Sequence, residues 1–588
     1  MCGFVGALGV DAPVREAAEL LRHRGPDQDG FLRAGPLTLG FRRLAIIDPQ
    51  GPGQPVSDGT RALVFNGEIY NYMELARELG LESRSDSRVL FEALGRWGRG
   101  ALDRLDGMFA LAYWDGQSLL LARDRVGVKP LYYARLRDGW VFSSGTRPLI
   151  RLGVSDRLEP RSLDAYLTLL WAPSPLSPYQ AIRKLPPGHL VTLPVGEARP
   201  WWRWEPRPGE STEQDVRQAL ELAVERELRS DVPLGIFLSG GLDSSLVAGL
   251  CKGGIPGFTL APDPDDLALD IYQDERPHAM AVARSLGISL TEVPVSPSVD
   301  DIEGLVARME EPVGDPASVA IHLLSRAAHG HVKTVLSGVG GDELFGGYPR
   351  HRALRLAMWT RKLPGFAQKL ISVLPGREGK PGRLRRDAQK LLRARGDLAS
   401  AYLSFFKYLT PEDKSRLYSA DLALAGPGSW EQELKESFLS TPCKPLLRAL
   451  SFDLNHFLPE NNLLYTDLAS MALSVEVRVP LLNANVLRAA AGLRESDIRN
   501  KRVLRKIAKD ILPHQVIVRP KAGLGSPVRG WLRGRFRDWA DSQLGLLPPE
   551  LVHPGVARSW LEEEVTGKGF RYLALWALVT LSLWLRTR

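Results

Sequence analysis

Cysteine is scarce in this 588-residue chain, which has three, at positions 2, 251 and 443. An odd number so widely spaced excludes a disulfide framework and any CxxC metal pattern, and points to a reducing compartment, the cytoplasm. Long apolar runs are missing too. The most apolar late stretch, YLALWALVTLSLWL at 572–585, falls short of the roughly 20 residues that span a bilayer and reads as a buried C-terminal helix. No basic-then-apolar leader opens the chain. Charge of one sign is in small excess: 76 basic against 68 acidic side chains, a net of +8. That excludes a strongly basic nucleic-acid surface, so neither nucleic acid nor membrane is expected as a partner. What is present is ordinary for a globular protein, 44% hydrophobic and 24% charged. The length demands two or more cores.

Two textures divide the chain. Up to about residue 195, short strands alternate with turns. RALVFNGEIYN reads as a strand entering a tight Asn66-Gly67 turn. GMFALAYWDGQSLLLARD and LYYARLRDGWVFSS read as hairpins around Asp115-Gly116 and Asp138-Gly139. APVREAAELLRHRG and DSRVLFEALGRWG carry helical spacing. A layered antiparallel architecture follows, with domain one at 1–195. Residues 196–210, with ARPWWRWEPRPGE around them, read as a linker. From 211 to 588 the pattern becomes strand–loop–helix, which implies a parallel sheet, and then mostly helix. A basic stretch at 350–397 reads as a solvated helical surface.

Three motifs carry chemistry. Cys2 stands behind Met1, and removal of that methionine would give it a thiol and a free α-amine on one carbon. Such an amine titrates near pH 8 and serves as base for its own side chain. In IFLSGGLDSSLVAGL, a strand feeds a Ser-Gly-Gly loop that opens a helix, an anion cradle of backbone N–H groups. Ser239, Ser244 and Ser245 add donors. Asp243 would repel phosphate unless a divalent cation lay between them, which argues for Mg²⁺. No lysine follows the glycines, so this is not the common NTPase loop. About a hundred residues later VLSGVGGDELFGGYPR again ends a strand in a small-residue loop, with Asp342 and Glu343. Parallel strands open on one edge, where Asp243 and Asp342 could share a magnesium ion.

The SGGLDSS loop is similar to that of N-type ATP pyrophosphatases. With the motifs from Cys2 to beyond residue 525, in order, the whole chain resembles the glutamine-hydrolysing asparagine synthetases of the bacterial type. The resemblance implies an N-terminal Ntn-hydrolase αββα sandwich and a C-terminal parallel-sheet ATP-pyrophosphatase domain with a largely helical remainder. It makes Cys2 the nucleophile that takes ammonia from glutamine, with HRGPD at 23–27 lining the site. It sets Asn66 and Gly67 at an oxyanion hole, Arg43 on the glutamine carboxylate, and Glu68 and Asp86 near its amine. It assigns ATP to Leu238, Ser239, Gly240, Gly241, Asp243, Ser244, Ser245, Ser337 and Gly338, metal to Asp243 and Asp342, and phosphate-charge stabilisation to Lys501. Glu476 and Arg478 are implied as an internal ion pair. The substrates implied are glutamine, ATP and a carboxylic acid such as L-aspartate, and the partner considered is a second copy in a homodimer. Ligases of β-lactam-forming type lack the nucleophilic cysteine, and a non-catalytic sensor would carry degenerate sites.

Three positions depart from the family pattern. Phe41 replaces a histidine with little expected effect. Val339 stands where SGEGxDE has glutamate, and Asn483 where aspartate is common. Valine accepts no proton. Two acceptors therefore stay open at this point: aspartate, or another carboxylic acid in a secondary-metabolite or polysaccharide pathway. In EEPVGDPASVAIHLLSR, Asp315 and Ser318 are the polar groups offered to an acceptor pocket.

Overall fold

A computed structural model describes residues 2–252, 254–270, 273–360, 397–424, 428–519, 523 and 525–588. The first half is built on two six-stranded antiparallel sheets. One runs in the order Ile182–Lys184, Tyr132–Leu136, Gly139–Ser143, Cys2–Leu8, Leu37–Arg43, Gln28–Ala34. The other runs Ala198–Pro200, His189–Leu193, Leu119–Arg123, Gly107–Trp114, Ala62–Ile69, Val56–Ser57. Side chains alternate across a strand, and that period sorts the cores. Cys2, Phe4, Leu39, Val64, Ala112 and Leu121 meet in one buried cluster between the sheets. The odd-numbered Leu63, Phe65, Leu111 and Tyr113 face outward, onto apolar residues of the helix Asp86–Trp97. Val5 and Ala7 pack with Val14, Ala17 and Ala18 of the helix Val14–Glu19 on the opposite outer face. The result is helix, sheet, sheet, helix.

The hairpin at Asp115-Gly116 forms as expected: Asp115 Oδ1 accepts the amides of Gln117 and Ser118 at 2.8 and 2.7 Å. The second hairpin turns one residue early. Leu136 pairs with Gly139, so Arg137 and Asp138 form the tip, with Arg137 at φ 53°. The expected Asn66-Gly67 turn does not exist. Ala62–Ile69 is one unbroken strand, in which Asn66 pairs with Ala110 and Gly67 with Phe109. Gly67 has φ +147°, and a Cβ there would lie 1.9 Å from the Met108 carbonyl. The dipeptide marks a close backbone approach inside a sheet rather than a reversal. The strand Ala198–Pro200 carries the second sheet into the stretch expected to be linker.

The second half holds a five-stranded, all-parallel sheet in the order Leu290–Val295, Gly257–Pro262, Leu234–Phe237, Thr334–Leu336, Glu476–Arg478. The chain starts at Leu234–Phe237, builds outward to one side, and then returns to build on the other. The loops after Leu234–Phe237 and Thr334–Leu336 therefore diverge, and a crevice opens at this switch point. The helix Glu213–Glu227 that leads into this half has a capping box, Thr212 with Asp215. Most of the remainder is helical, ending in the buried helix Tyr572–Thr587. No helix among the described residues is long and apolar enough to cross a membrane. The basic stretch at 350–397 lies largely outside the described residues.

Candidate active sites

The first site lies at the inner edge of the sandwich. Residues 2, 4 and 8 share a face, as do 62, 64 and 66, so strand periodicity alone brings Cys2 and Asn66 between the sheets. The Cys2 nitrogen donates to Asn66 Oδ1 at 3.1 Å. Among the described residues, Asn66 Nδ2 is buried with no hydrogen-bond partner. Such a donor is rare in a folded interior, and here it belongs to the amide whose oxygen holds the Cys2 nitrogen. Burial pushes the Cys2 thiol up to about 11. Glu68 is held well above the usual carboxylate range, first by burial and then by Glu476 and Asp86. Asp86 is pushed up to about 6, also chiefly by burial, and accepts the Ile69 amide at 3.3 Å. Two buried carboxylates face this site, and Arg478 Nη2, itself without a hydrogen-bond partner among the described residues, lies 4.0 Å from Glu68 while its other nitrogens are engaged. Its guanidinium binds Glu476 at 2.7 Å and the carbonyls of Glu227 and Arg229 at 2.6 and 2.7 Å. Arg43 pairs in register with Cys2. Its two terminal nitrogens donate to Gln28 and to the carbonyls of Gly51, Ile47 and Asp48.

The second site is the crevice of the parallel sheet, a cavity of about 290 Å³. Leu238, Ser239, Gly241, Asp243, Ser244, Ser337, Gly338, Asp342 and Lys501 all line it. Gly240 and Ser245 do not: Gly240 backs onto Ala279, and Ser245 is fully buried in the helix Leu242–Leu250. Ser239 and Ser244 bond to each other across the loop at 3.1 Å. Lys501 Nζ pairs with Asp243 and with Asp342, the latter at 2.5 Å. It reaches them from a strained backbone, since Asn500 and Lys501 both have positive φ, 55° and 57°. Gly347 makes room, because a Cβ there would lie 2.1 Å from Lys501 Cε and 2.0 Å from Asp342 Oδ1. Two carboxylates at the switch point thus share one cation, the lysine ammonium. No group of three or more His, Cys, Asp or Glu suited to a metal occurs among the described residues. Two carboxylates joined by phosphate oxygens and water are nevertheless the donor set that Mg²⁺ takes.

Several lining residues were invisible to motif reading. Phe258, Thr259 and Leu260 belong to the neighbouring parallel strand, whose apolar run carried no loop signal. Asn462 comes from a widened π-helical segment, Asp453–Leu463, and donates to Glu343 Oε1 at 2.7 Å. Asp315 lines the cavity and accepts from Asn461 Nδ2 at 3.0 Å, whereas Ser318 is not in the lining and donates to the Asp315 carbonyl. Val339 lines the cavity; Asn483 lies elsewhere, between the halves, capping the helix Ala484–Ala491.

Comparison with known proteins agrees with both halves. Residues 1–202 match the glutamine amidotransferase domain, and residues 215–586 match the asparagine synthase model. The chain therefore belongs to the asparagine synthase family. It is 29% identical over 630 residues to asparagine synthetase [glutamine-hydrolyzing] 1 of Bacillus subtilis (strain 168), covering 99% of this chain and 96% of that one. It is 31% identical over 642 residues to a putative asparagine synthetase [glutamine-hydrolyzing] of Mycobacterium tuberculosis (strain H37Rv), covering 99% and 95%. Asparagine synthetase [glutamine-hydrolyzing] 1 of Arabidopsis thaliana is 33% identical over 377 residues, 59% of this chain and 60% of its own.

Proposed function

We propose that this chain converts L-aspartate to L-asparagine with ATP and glutamine, releasing AMP, pyrophosphate and glutamate. The observation that carries the reading is the pairing, within one chain, of a buried Cys2–Asn66 couple with a carboxylate-and-lysine crevice at the switch point of a parallel sheet. The near full-length likeness to named asparagine synthetases supports aspartate as acceptor over another acid. Three free cysteines suit the cytoplasm.

In the first site Cys2 Sγ attacks the side-chain amide carbon of glutamine. Its proton passes to the α-amine that methionine removal exposes. That nitrogen is the atom now 3.1 Å from Asn66 Oδ1. Asn66 Nδ2 and the Gly67 N–H are the donors for the oxyanion, a charge that develops only as the bond forms. Collapse expels ammonia and leaves a γ-glutamyl thioester, which water cleaves to glutamate. Glu68 and Asp86 receive the substrate ammonium, and Arg43 its carboxylate. To do so Arg43 must exchange at least one of its loop carbonyls for the substrate.

In the second site the aspartate β-carboxylate attacks the α-phosphorus of ATP and pyrophosphate leaves. Ammonia then attacks the acyl carbon of the adenylate, the attacking nitrogen gives up one proton to water or the departing phosphate because Val339 cannot take it, AMP leaves, and the amide is formed. Backbone N–H groups of the 238–241 loop, Ser239 and Ser244 hold phosphate oxygens, and Lys501 offsets their charge. Asp243 and Asp342 would hold Mg²⁺, which supplies charge neutralisation on the departing pyrophosphate. Phe258 and Leu260 offer an apolar wall to the base.

The test is product analysis of the Met1-processed protein with ATP, Mg²⁺, glutamine and L-aspartate. Equal asparagine, AMP and pyrophosphate are expected. Glutamate without asparagine would reject aspartate as the acceptor.

A further inference from the structure

The Cys2 backbone is tied to the other half of the molecule. Arg24 is 1% exposed, and its Nε donates to the Cys2 main-chain carbonyl at 3.3 Å. Its Nη2 donates to Asp467 Oδ2 at 2.8 Å, both side chains being 1% exposed. Asp467 stands on the helix Leu464–Met471, beyond the parallel sheet's fourth strand in sequence, and its other oxygen lies 3.4 Å from Lys129 Nζ. One guanidinium therefore spans from the first residue of the sandwich to a carboxylate 443 residues away.

From these contacts we infer that Asp467 is a positioning residue for the glutaminase nucleophile, acting through Arg24. The inference rests on Cys2 being that nucleophile. The physical case is geometric. A carbonyl held from one side fixes the Cys2–Gly3 peptide plane, and the Cys2 nitrogen is held from the other side by Asn66. With both ends fixed, the Cα–Cβ direction is set and Sγ keeps a single torsion. A misplacement of about 1 Å at such a site costs about a hundred-fold in rate. Arg24 alone does not suffice for this. A buried guanidinium with no counter-charge turns toward whatever acceptor it finds, and a charged, hydrogen-bonded carboxylate holds it in one orientation.

The same helical run reaches the second site. Asn462, five positions before Asp467, bonds Glu343 in the nucleotide crevice at 2.7 Å. The segment that anchors Arg24 at Asp467 is therefore continuous with the one that reaches the nucleotide crevice.

The experiment uses the full-length, Met1-processed protein and the variants Cys2→Ala, Arg24→Lys, Asp467→Asn, Lys129→Met and the double Arg24→Lys/Asp467→Asn. Glutamine hydrolysis (kcat and KM) and AMP formation driven by ammonium chloride are measured for each. Asp467→Asn and Arg24→Lys are each expected to lower kcat for glutamine at least ten-fold. KM for glutamine and ammonia-driven synthesis should stay within two-fold. The double variant should be no worse than the poorer single, because both act through one contact. Equal losses in both activities would make Asp467 a packing residue and overturn the inference. So would an unchanged kcat in Asp467→Asn, or a loss reproduced by Lys129→Met but not by Arg24→Lys. A Cys2→Ala protein that still hydrolyses glutamine would instead overturn the nucleophile itself.

Discussion

Cys2, the proposed nucleophile, is presented by the fold as a poorly ionised thiol. Burial holds its thiol up to about 11, so almost none is thiolate at neutral pH. On the proposed mechanism the proton leaves during attack, and the base is the α-amine that methionine removal would expose on the same carbon. A chain carrying one extra alanine before Cys2 after methionine removal should lose about 10³-fold in glutamine hydrolysis. Its ammonia-driven synthesis should be unchanged, and parallel assays of the two activities decide the point. Asp86 sits in the opposite situation, since its proposed contact with the substrate ammonium calls for a charge that burial disfavours. Its carboxyl is raised from 3.8 to about 6. Between those values the folded chain binds more protons than the unfolded one. This group's contribution to stability is present below about pH 4 and is lost as pH rises through 6. Asp86→Asn keeps an acceptor for the Ile69 amide and removes the charge. It should raise stability at pH 7.5 by about 2 kcal/mol, with no gain at pH 4, while KM for glutamine rises. Thermal melts at the two pH values check the sign. Gly67→Ala should cost about 3 kcal/mol or more, from positive φ and the Met108 carbonyl together, read as a fall in the chemical denaturation midpoint.

The element that organises the second site is the widened helix Asp453–Leu463. Pro459 within it cannot donate a backbone hydrogen bond, and the run is wound more loosely than an α-helix. Its first residue, Asp453, is fully buried. It accepts from Arg350 at 2.8 Å, His351 at 2.9 Å and the Tyr402 hydroxyl at 2.7 Å. Arg350 lies over the rings of Tyr348, Phe406 and Phe457, and Tyr348 and Phe457 line the crevice. The network therefore sets one wall of the site from behind. Asp453→Ala leaves the guanidinium without its carboxylate and should destabilise by about 3–5 kcal/mol. Urea denaturation measures this, and the KM for ATP should rise in the protein that still folds.

Across the molecule, the halves meet through buried charge. Lys184 Nζ lies 2.8 Å from both Glu311 and Glu460, all at most 2% exposed, and Arg123 is 3.4 Å from Glu460. Removing only the lysine strands Glu311 and leaves Glu460 with Arg123 alone. Lys184→Met should cost about 3–5 kcal/mol, whereas replacing Lys184, Glu311, Glu460 and Arg123 together by apolar residues of similar volume should recover most of that. Differential scanning calorimetry of the two variants distinguishes the cases. Such an interface needs exact partners to form, so the two active sites are held in one fixed relation, which any direct transfer of ammonia requires.

Strand periodicity, the two small-residue loops and the residue behind Met1 were enough to anticipate a layered antiparallel unit and a parallel-sheet unit and to single out Cys2, Ser239, Asp243 and Asp342, whereas Asn66 came only from the family resemblance. Those signals are local: a strand's alternation or a loop's glycines are set by neighbours along the chain. The Asn66-Gly67 pair misled because a turn and a close strand approach both require glycine. Only the neighbouring strand, with the Met108 carbonyl 1.9 Å from a would-be Cβ, distinguishes them. Phe258, Asn462 and Asp453 carried no signal, since their importance comes from partners far away in sequence. The pairing of Arg24 with Asp467, across 443 positions, is the extreme case. Local chemistry is written in the chain, but which buried charge meets which is decided only when the two halves close on each other and exclude water.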